Sequence, residues 1–353
     1  MIYEESGMVQ KAVDIYYGLL KEYPGSAYAL KALAELHYRQ KEFDKSIGIY
    51  ERLLEEEPGN PDYIHSAGIL YMKQEKYRKA AKMFEKLEAL KPAAINKYYA
   101  ALSYNNMEEH DKALELFMKA AEDDPKFIGA YYHIGAILSK QERLEEAVEL
   151  FEKALDNNQD NEGFHMLLAA AYSDSRRYEE ARDVYVKAFK KFPESERLNY
   201  NLGVVYDKLK DYDNAIRHFE RVIAVNPKNA DAYNYIGYTY AEKGIELDRA
   251  YDLIKKALSF DADNGYYIDS LGWVYYKKGK YEEAAHELVR AIEEMEKVKK
   301  GGDPVVFEHA GDAYLKLKDK EKAAGYFKKA LELTEDRKEI ITEKLEAIKE
   351  KTE

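Results

Sequence analysis

The chain of 353 residues has no cysteine. That excludes a disulfide framework, a thiolate metal site and a cysteine nucleophile. It has no run of about 18 apolar residues, and its mean hydropathy is -0.65, so no segment reads as a membrane-spanning helix. Cations are outnumbered: 55 Lys and Arg stand against 67 Asp and Glu, a formal net charge of -12. Non-specific nucleic-acid binding rests on clustered Lys and Arg, and this balance argues against it. Residues 1–30 carry no signal-peptide pattern, because Glu4 and Glu5 stand where a basic stretch would precede an apolar one. Glutamine is scarce beside abundant Lys and Glu, a composition that leans toward a heat-adapted source. Tryptophan occurs once and proline only 8 times. What is plentiful is tyrosine, at 33 residues, within a hydrophobic content of 46% that suits a folded chain.

The few prolines give the first organisation. Pro24, Pro58, Pro92, Pro125, Pro193 and Pro227 follow one another at separations of 34, 34, 33, 68 and 34 residues. Proline ends helices, so an even ladder of prolines marks evenly spaced helix ends. Small residues recur in the same register, at Ala34, Gly68, Ala101, Gly135, Ala169, Gly203, Gly237, Gly272 and Gly311. Three residues after most of them comes a tyrosine, with His37 and Leu138 as the exceptions. Twelve residues after comes a second small residue, from Ser46 and Ala80 to Ala284 and Ala323, with Ala250 one residue late. Four further on stands a large one, such as Tyr50, Phe84, Phe117, Phe151 and Phe219.

This pattern resembles the tetratricopeptide repeat family over nearly the whole chain. Leu202-Gly203-Val204-Val205-Tyr206 and Tyr281-Glu282-Glu283-Ala284-Ala285 lie close to the family consensus. The resemblance implies an all-α, right-handed solenoid of about twenty antiparallel helices, wound as a superhelix. The physics of the residues agrees with it. A small residue followed by an aromatic three later lies on one helix face. Small positions let paired helices approach closely, and the aromatics fill the space beside them. Asn60-Pro61 and Asp303-Pro304 each read as an N-cap followed by proline at the first helical position.

Nine helix pairs follow: 27–60, 61–93, 94–127, 128–161, 162–195, 196–229, 230–264, 265–303 and 304–337, read as one continuous array. Residues 1–26 read as a partial repeat in which Ala12, Tyr16 and Pro24 match a second helix. Residues 338–353 read as a closing helix, apolar at Ile341, Leu345 and Ile348 and charged elsewhere. One extra residue falls in Gly244 to Asp248. About five fall between Met295 and Pro304, read as a helix extended to Lys300 and stopped by Gly301-Gly302.

Catalytic and metal motifs fail. The eight histidines are scattered, and none pair four apart. His286-Glu287 begins like a zinc-protease helix, but Arg290 holds the second ligand position. Asp261 to Gly265 and Asp156 to Asp160 lack the Gly and Glu a calcium loop needs, and they fall where turns belong. The expectation is a chain with no catalytic residues, metal or cofactor.

The tyrosines divide in two. Seventeen hold positions that the family fills with large buried residues: Tyr3, Tyr16, Tyr50, Tyr71, Tyr77, Tyr104, Tyr131, Tyr172, Tyr178, Tyr185, Tyr206, Tyr212, Tyr233, Tyr240, Tyr275, Tyr281 and Tyr314. In the family, the first helix of each pair lines a concave groove. Mapping that face onto this chain gives Tyr28, Tyr38, Tyr98, Tyr132, Tyr200, Tyr238, Tyr266, Tyr276 and Trp273 as candidate peptide contacts. Trp273, Tyr238, Tyr266 and Tyr276 cluster in two consecutive repeats. Charge along the same face is uneven: Asp231, Glu242, Asp269, Glu308 and Asp312 oppose Lys277 and Lys316, whereas Lys31, Arg39 and Lys73 oppose Glu35 and Asp62. Such a gradient would orient an extended ligand.

Known subclasses give a negative result. The Lys and Asn four apart that capture a C-terminal carboxylate are replaced by Lys31/Glu35, His65/Ile69 and Tyr98/Leu102. The asparagine ladder of the protein O-glycosyltransferase superhelix is reduced to Asn201. The stretch from Asn234 to Trp273 looks like a repeat pair common in bacterial envelope proteins of the family.

The expected function is a non-enzymatic scaffold that binds an extended peptide segment of a partner protein, without nucleic acid or membrane insertion. The alternatives are a substrate-recruiting arm of a larger enzyme such as a glycosyltransferase, or a self-assembling scaffold. At the N-terminus, Ile2, Tyr3, Val9, Val13, Ile15, Tyr16 and Tyr17 read as an uncovered apolar edge. The expectation there is a parent chain extending upstream of Met1, which would admit a periplasmic or envelope location, or a second chain covering the edge as in a homo-oligomer.

Overall fold

The computed structural model describes residues 9–298, 302–334 and 336–350. These form twenty α-helices and no strand, an all-α solenoid as expected. Contacts divide the chain into two compact units, residues 1–177 and 178–353.

The first unit holds ten helices. They are α1 (Val9–Glu22), α2 (Ala27–Arg39), α3 (Phe43–Glu56), α4 (Pro61–Lys73), α5 (Tyr77–Leu90), α6 (Ala94–Asn106), α7 (His110–Asp123), α8 (Ile128–Lys140), α9 (Leu144–Asn157) and α10 (Glu162–Asp174). The second holds α11 (Tyr178–Lys191), α12 (Glu196–Lys208), α13 (Tyr212–Val225), α14 (Ala230–Lys243), α15 (Leu247–Leu258), α16 (Gly265–Lys277), α17 (Tyr281–Val298), α18 (Pro304–Lys316), α19 (Lys320–Leu333) and α20 (Lys338–Glu350).

Local chemistry sets the helix ends. The Asn60 side chain accepts from the backbone N–H of Asp62 at 3.1 Å and of Tyr63 at 3.4 Å, and the Asp303 side chain accepts from Val305 at 2.9 Å. Both caps precede the prolines that the sequence placed at the first helical position. Inside a pair, the turn between the two helices carries one residue in the left-handed region. Lys41, Glu75, Glu108, Glu142, Arg176, Lys210 and Lys318 all lie there, with φ between 57° and 64°. Glycine takes that conformation freely at Gly279, whereas the others bear a Cβ strain.

The second helices are amphipathic and bury one stripe. In α13 the buried residues are Ala215, Ile216, Phe219 and Val222. Phe219 lies under Gly203 of α12, where an added Cβ would sit 2.6 Å from the ring. Gly68 meets Phe84 in the same way at 2.7 Å. The small positions are therefore close-approach sites. Of the seventeen tyrosines assigned to the core, Tyr3 lies outside the described residues; each of the others is buried or half-buried. Several also use their hydroxyls. Tyr71 donates to Glu51 at 2.5 Å and Tyr104 to Glu85 at 2.6 Å, and Tyr172 donates to Glu152. Each bond ties a first helix to the preceding second helix. Leu138 of α8 stands in the place of such a tyrosine, and Met118 of the preceding α7 in the place of its glutamate.

The local departures have physical reasons. α14 ends at Gly244 with φ 68°, and Glu246 is also left-handed at 48°, which absorbs the extra residue. α17 runs 18 residues to Val298, so the expected extension is present to that point; Lys300 and Gly301 lie outside the described residues. In α20, Ile341 and Ile348 are buried in the core of the second unit and Leu345 packs on it. At the N-terminus the expected open edge is corrected in part. Val13 and Tyr16 are buried with Leu33 and Leu36 of α2, while Ile15 and Tyr17 are exposed. Ile2 and Tyr3 lie outside the described residues.

Candidate functional site

In the first unit, the first-helix face carries three exposed candidate tyrosines. Tyr28 is 64% exposed and lies edge-on to the Tyr16 ring; Tyr38 is 39% exposed and Tyr132 38%. Tyr98 differs. Its ring lies 4.8 Å from Phe127 and 5.5 Å from Phe117, and its hydroxyl is 3.2 Å from His133 Nε2. Burial raises its phenol above the usual range. Tyr98 is thus a packing residue joining α6 and α8 rather than an open platform.

Beside Tyr38 a cavity of about 280 Å³ opens between α2, α3 and α4. Its floor is Ser46, Tyr50 and Leu70, and one wall is His65, Ser66 and Ile69. Tyr38, Glu35 and Arg39 form its rim. Burial raises the Tyr50 phenol, partly offset by its hydrogen bond with Ser66. Sequence reasoning did not assemble this site. Its signal was present in Ser46, where other pairs have alanine, and in Tyr50, where most have phenylalanine.

In the second unit Trp273, Tyr276 and Tyr238 gather around His309, and much of this group is internal. Trp273 is 7% exposed, which corrects its assignment as an open groove contact. Its indole stacks on Tyr276 at 4.7 Å and on His309 at 4.0 Å, and its N–H donates to Glu242 at 2.6 Å. Asp269 is also corrected. It is 6% exposed and accepts from His309 Nδ1 at 2.9 Å, linking α16 to α18. Tyr276 and Tyr238 are half-buried, and burial pushes the Tyr276 phenol up to about 12. Tyr200 is half-buried, edge-on to Phe219 at 5.4 Å, and burial raises it too. Tyr266 remains open at 57%.

The acidic end of the expected charge gradient is largely neutralised within the chain. Glu308 accepts from Arg337 at 2.7 Å and from Lys344 at 2.8 Å, and Lys344 also bonds Asp312 at 2.7 Å. Asp231 accepts from the Tyr267 hydroxyl at 2.5 Å. The ligand-free charge that would orient a peptide is therefore reduced there, because α20 and its entry turn supply cations that sequence register did not place. At the other end, Glu35 and Arg39 form no hydrogen bond or ion pair among the described residues.

Among the described residues no group of three or more His, Asp or Glu side chains could hold a metal ion, and no helix is long and apolar enough to cross a membrane.

Comparison with known proteins puts names to the architecture. Family models described as tetratricopeptide repeat match residues 4–68, 65–127, 107–171, 197–229, 218–251 and 270–338. A TPR repeat-containing protein of Pseudomonas aeruginosa is 39% identical over 72 residues, 20% of this chain and 12% of that protein. The type IV pilus assembly protein PilF of the same organism is 26% identical over 123 residues, 35% of this chain and 47% of that protein. The chain thus spans at most about half the length of these relatives. Among solved structures, a tetratricopeptide repeat protein from Parabacteroides merdae has a TM-score of 0.56 at 20% identity, covering 72% of this chain and 98% of that one. The Cut9–Hcn1 hetero-tetramer of the APC/C gives 0.54 at 12% identity, covering 99% of this chain and 88% of that one. At such identities the structures support the fold alone.

Proposed function

Because the chain belongs to the tetratricopeptide repeat family, whose repeats are protein–protein interaction modules, we propose that it is a non-enzymatic scaffold holding an extended segment of a partner protein against its first-helix faces. The observation that carries this reading is the exposure of Tyr28, Tyr38, Tyr132 and Tyr266, all on first helices. Tyrosine offers a large, rigid, amphipathic contact at small entropic cost, and interfaces concentrate their binding energy in such residues. A fold stabilised by buried stripes has no need of them in solvent.

The test is alanine substitution of each tyrosine, read against peptides selected from a random display library on the full chain. A hot-spot tyrosine weakens the selected peptide by about 1–3 kcal/mol, with thermal stability unchanged. Selection that yields no binding peptide, or peptides indifferent to all four substitutions, overturns the reading. Trp273→Ala behaves differently: it empties a packed stack, and the loss appears as stability, about 3–5 kcal/mol.

A further inference from the structure

Resting on that reading, we infer that the cavity between α2, α3 and α4 is the anchor pocket of the first unit, and that it takes a tryptophan side chain of the partner segment. The second unit holds the argument in its own chain. Counted from the small residue of each first helix, Tyr38 and Tyr276 share a position four residues on, and Arg39 and Lys277 share the next. Trp273 stands where Glu35 does, and His309 where Ser66 does. In the second unit that register is filled: Trp273 stacks on the first-helix Tyr276 and on His309, and its ring N–H donates to a carboxylate, Glu242. In the first unit the corresponding large side chains are a glutamate and a serine, and the space is a cavity of about 280 Å³. The chain fills one copy of this place with an indole and leaves another without one.

The chemistry of the open copy fits the same ring. A buried cavity of about 150 Å³ takes benzene, so this one has room for two fused rings. Tyr50, Ile69 and Leu70 give apolar walls, and Tyr38 is the stacking partner that Tyr276 is elsewhere. Glu35 lies on the rim without a hydrogen bond or ion pair among the described residues, ready to accept from an indole N–H as Glu242 does. A phenylalanine would forgo the hydrogen bond to that carboxylate, and a leucine would also forgo the stack. Arg39, equally unpaired, reaches solvent beside the mouth and suits a backbone carbonyl of the segment.

The experiment uses the full chain and N-acetyl-tryptophanamide as probe, followed by saturation-transfer NMR. Saturable binding is expected, with N-acetyl-phenylalaninamide at least about fivefold weaker for want of the donor. Ser66→Trp fills the pocket from within and abolishes the binding. Glu35→Lys, on an exposed helix position that leaves the fold intact, removes the preference for the tryptophan probe. No saturable binding, equal binding of the two amides, or binding retained in both variants overturns the inference. Display-selected peptides that bind the wild type and both variants equally would sink the anchor pocket alone and leave the scaffold reading standing. Absence of any selected peptide removes that reading.

Discussion

At the residue scale, two histidines, one buried and one half-buried, show how one side-chain type serves opposite ends. Burial works against the charged form of His309, but the Asp269 carboxylate at 2.9 Å outweighs it, and the imidazole is raised above its ordinary value. A base raised on folding adds stability that is fully present below its unfolded value and is lost as pH rises through the folded one. His218 runs the other way. It is half-buried against Tyr206 and near Arg221, and burial lowers its pKa to about 4. Its contribution is present above the unfolded value and is lost as pH falls toward 4. Trp273 is the only tryptophan and stacks on His309, so its fluorescence reports that imidazole directly. The emission should change with a midpoint above the ordinary histidine value, and His309→Gln should remove the transition. A midpoint below that value, or the same transition in the variant, contradicts the charged pair. None of this was legible beforehand: the sequence shows an aspartate and a histidine 40 residues apart, and only helix docking brings them together.

The element scale is where the sequence read best. Period, small positions and the caps at Asn60 and Asp303 are legible because each signal is a local steric or hydrogen-bonding requirement. Two substitutions test that physics. Gly203→Ala puts a Cβ 2.6 Å from Phe219 and should destabilise by about 1–3 kcal/mol in chemical denaturation, since a packed ring on one side and a helix on the other leave little room to yield. Glu142→Gly acts in the opposite direction. Glu142 is exposed, and its φ of 58° is the conformation that glycine adopts freely. The variant should gain up to about 1 kcal/mol, the relieved Cβ strain exceeding the added freedom of the unfolded chain. A neutral Gly203→Ala would mean that α12 and α13 are not held in close approach. The Tyr–Glu bonds between consecutive pairs were missed at this scale, because the glutamate is not a regular partner of the tyrosine: Tyr206 has Val186 at that place.

On the scale of the whole molecule, the fold was legible and the site only in part, for one physical reason. Repetition amplifies whatever each repeat must do to fold, whereas binding uses the positions at which the repeats differ. Of the residues that helix-face mapping gave, Tyr28, Tyr38, Tyr132 and Tyr266 are exposed. The mapping also selected Trp273 and Asp269, because a groove-facing position can be filled by the chain's own neighbours, and Glu308 and Asp312, because cations from a terminal helix cannot be anticipated from register. The central claim is that a partner segment lies along first helices. Amide hydrogen exchange on the full chain, with and without a display-selected peptide, tests it most directly. For a peptide bound on the first unit the account predicts added protection at residues 27–39, 61–73 and 128–140, and for one bound on the second at 265–277, with second helices unchanged. Protection confined to second helices, or none at saturating peptide, would contradict it.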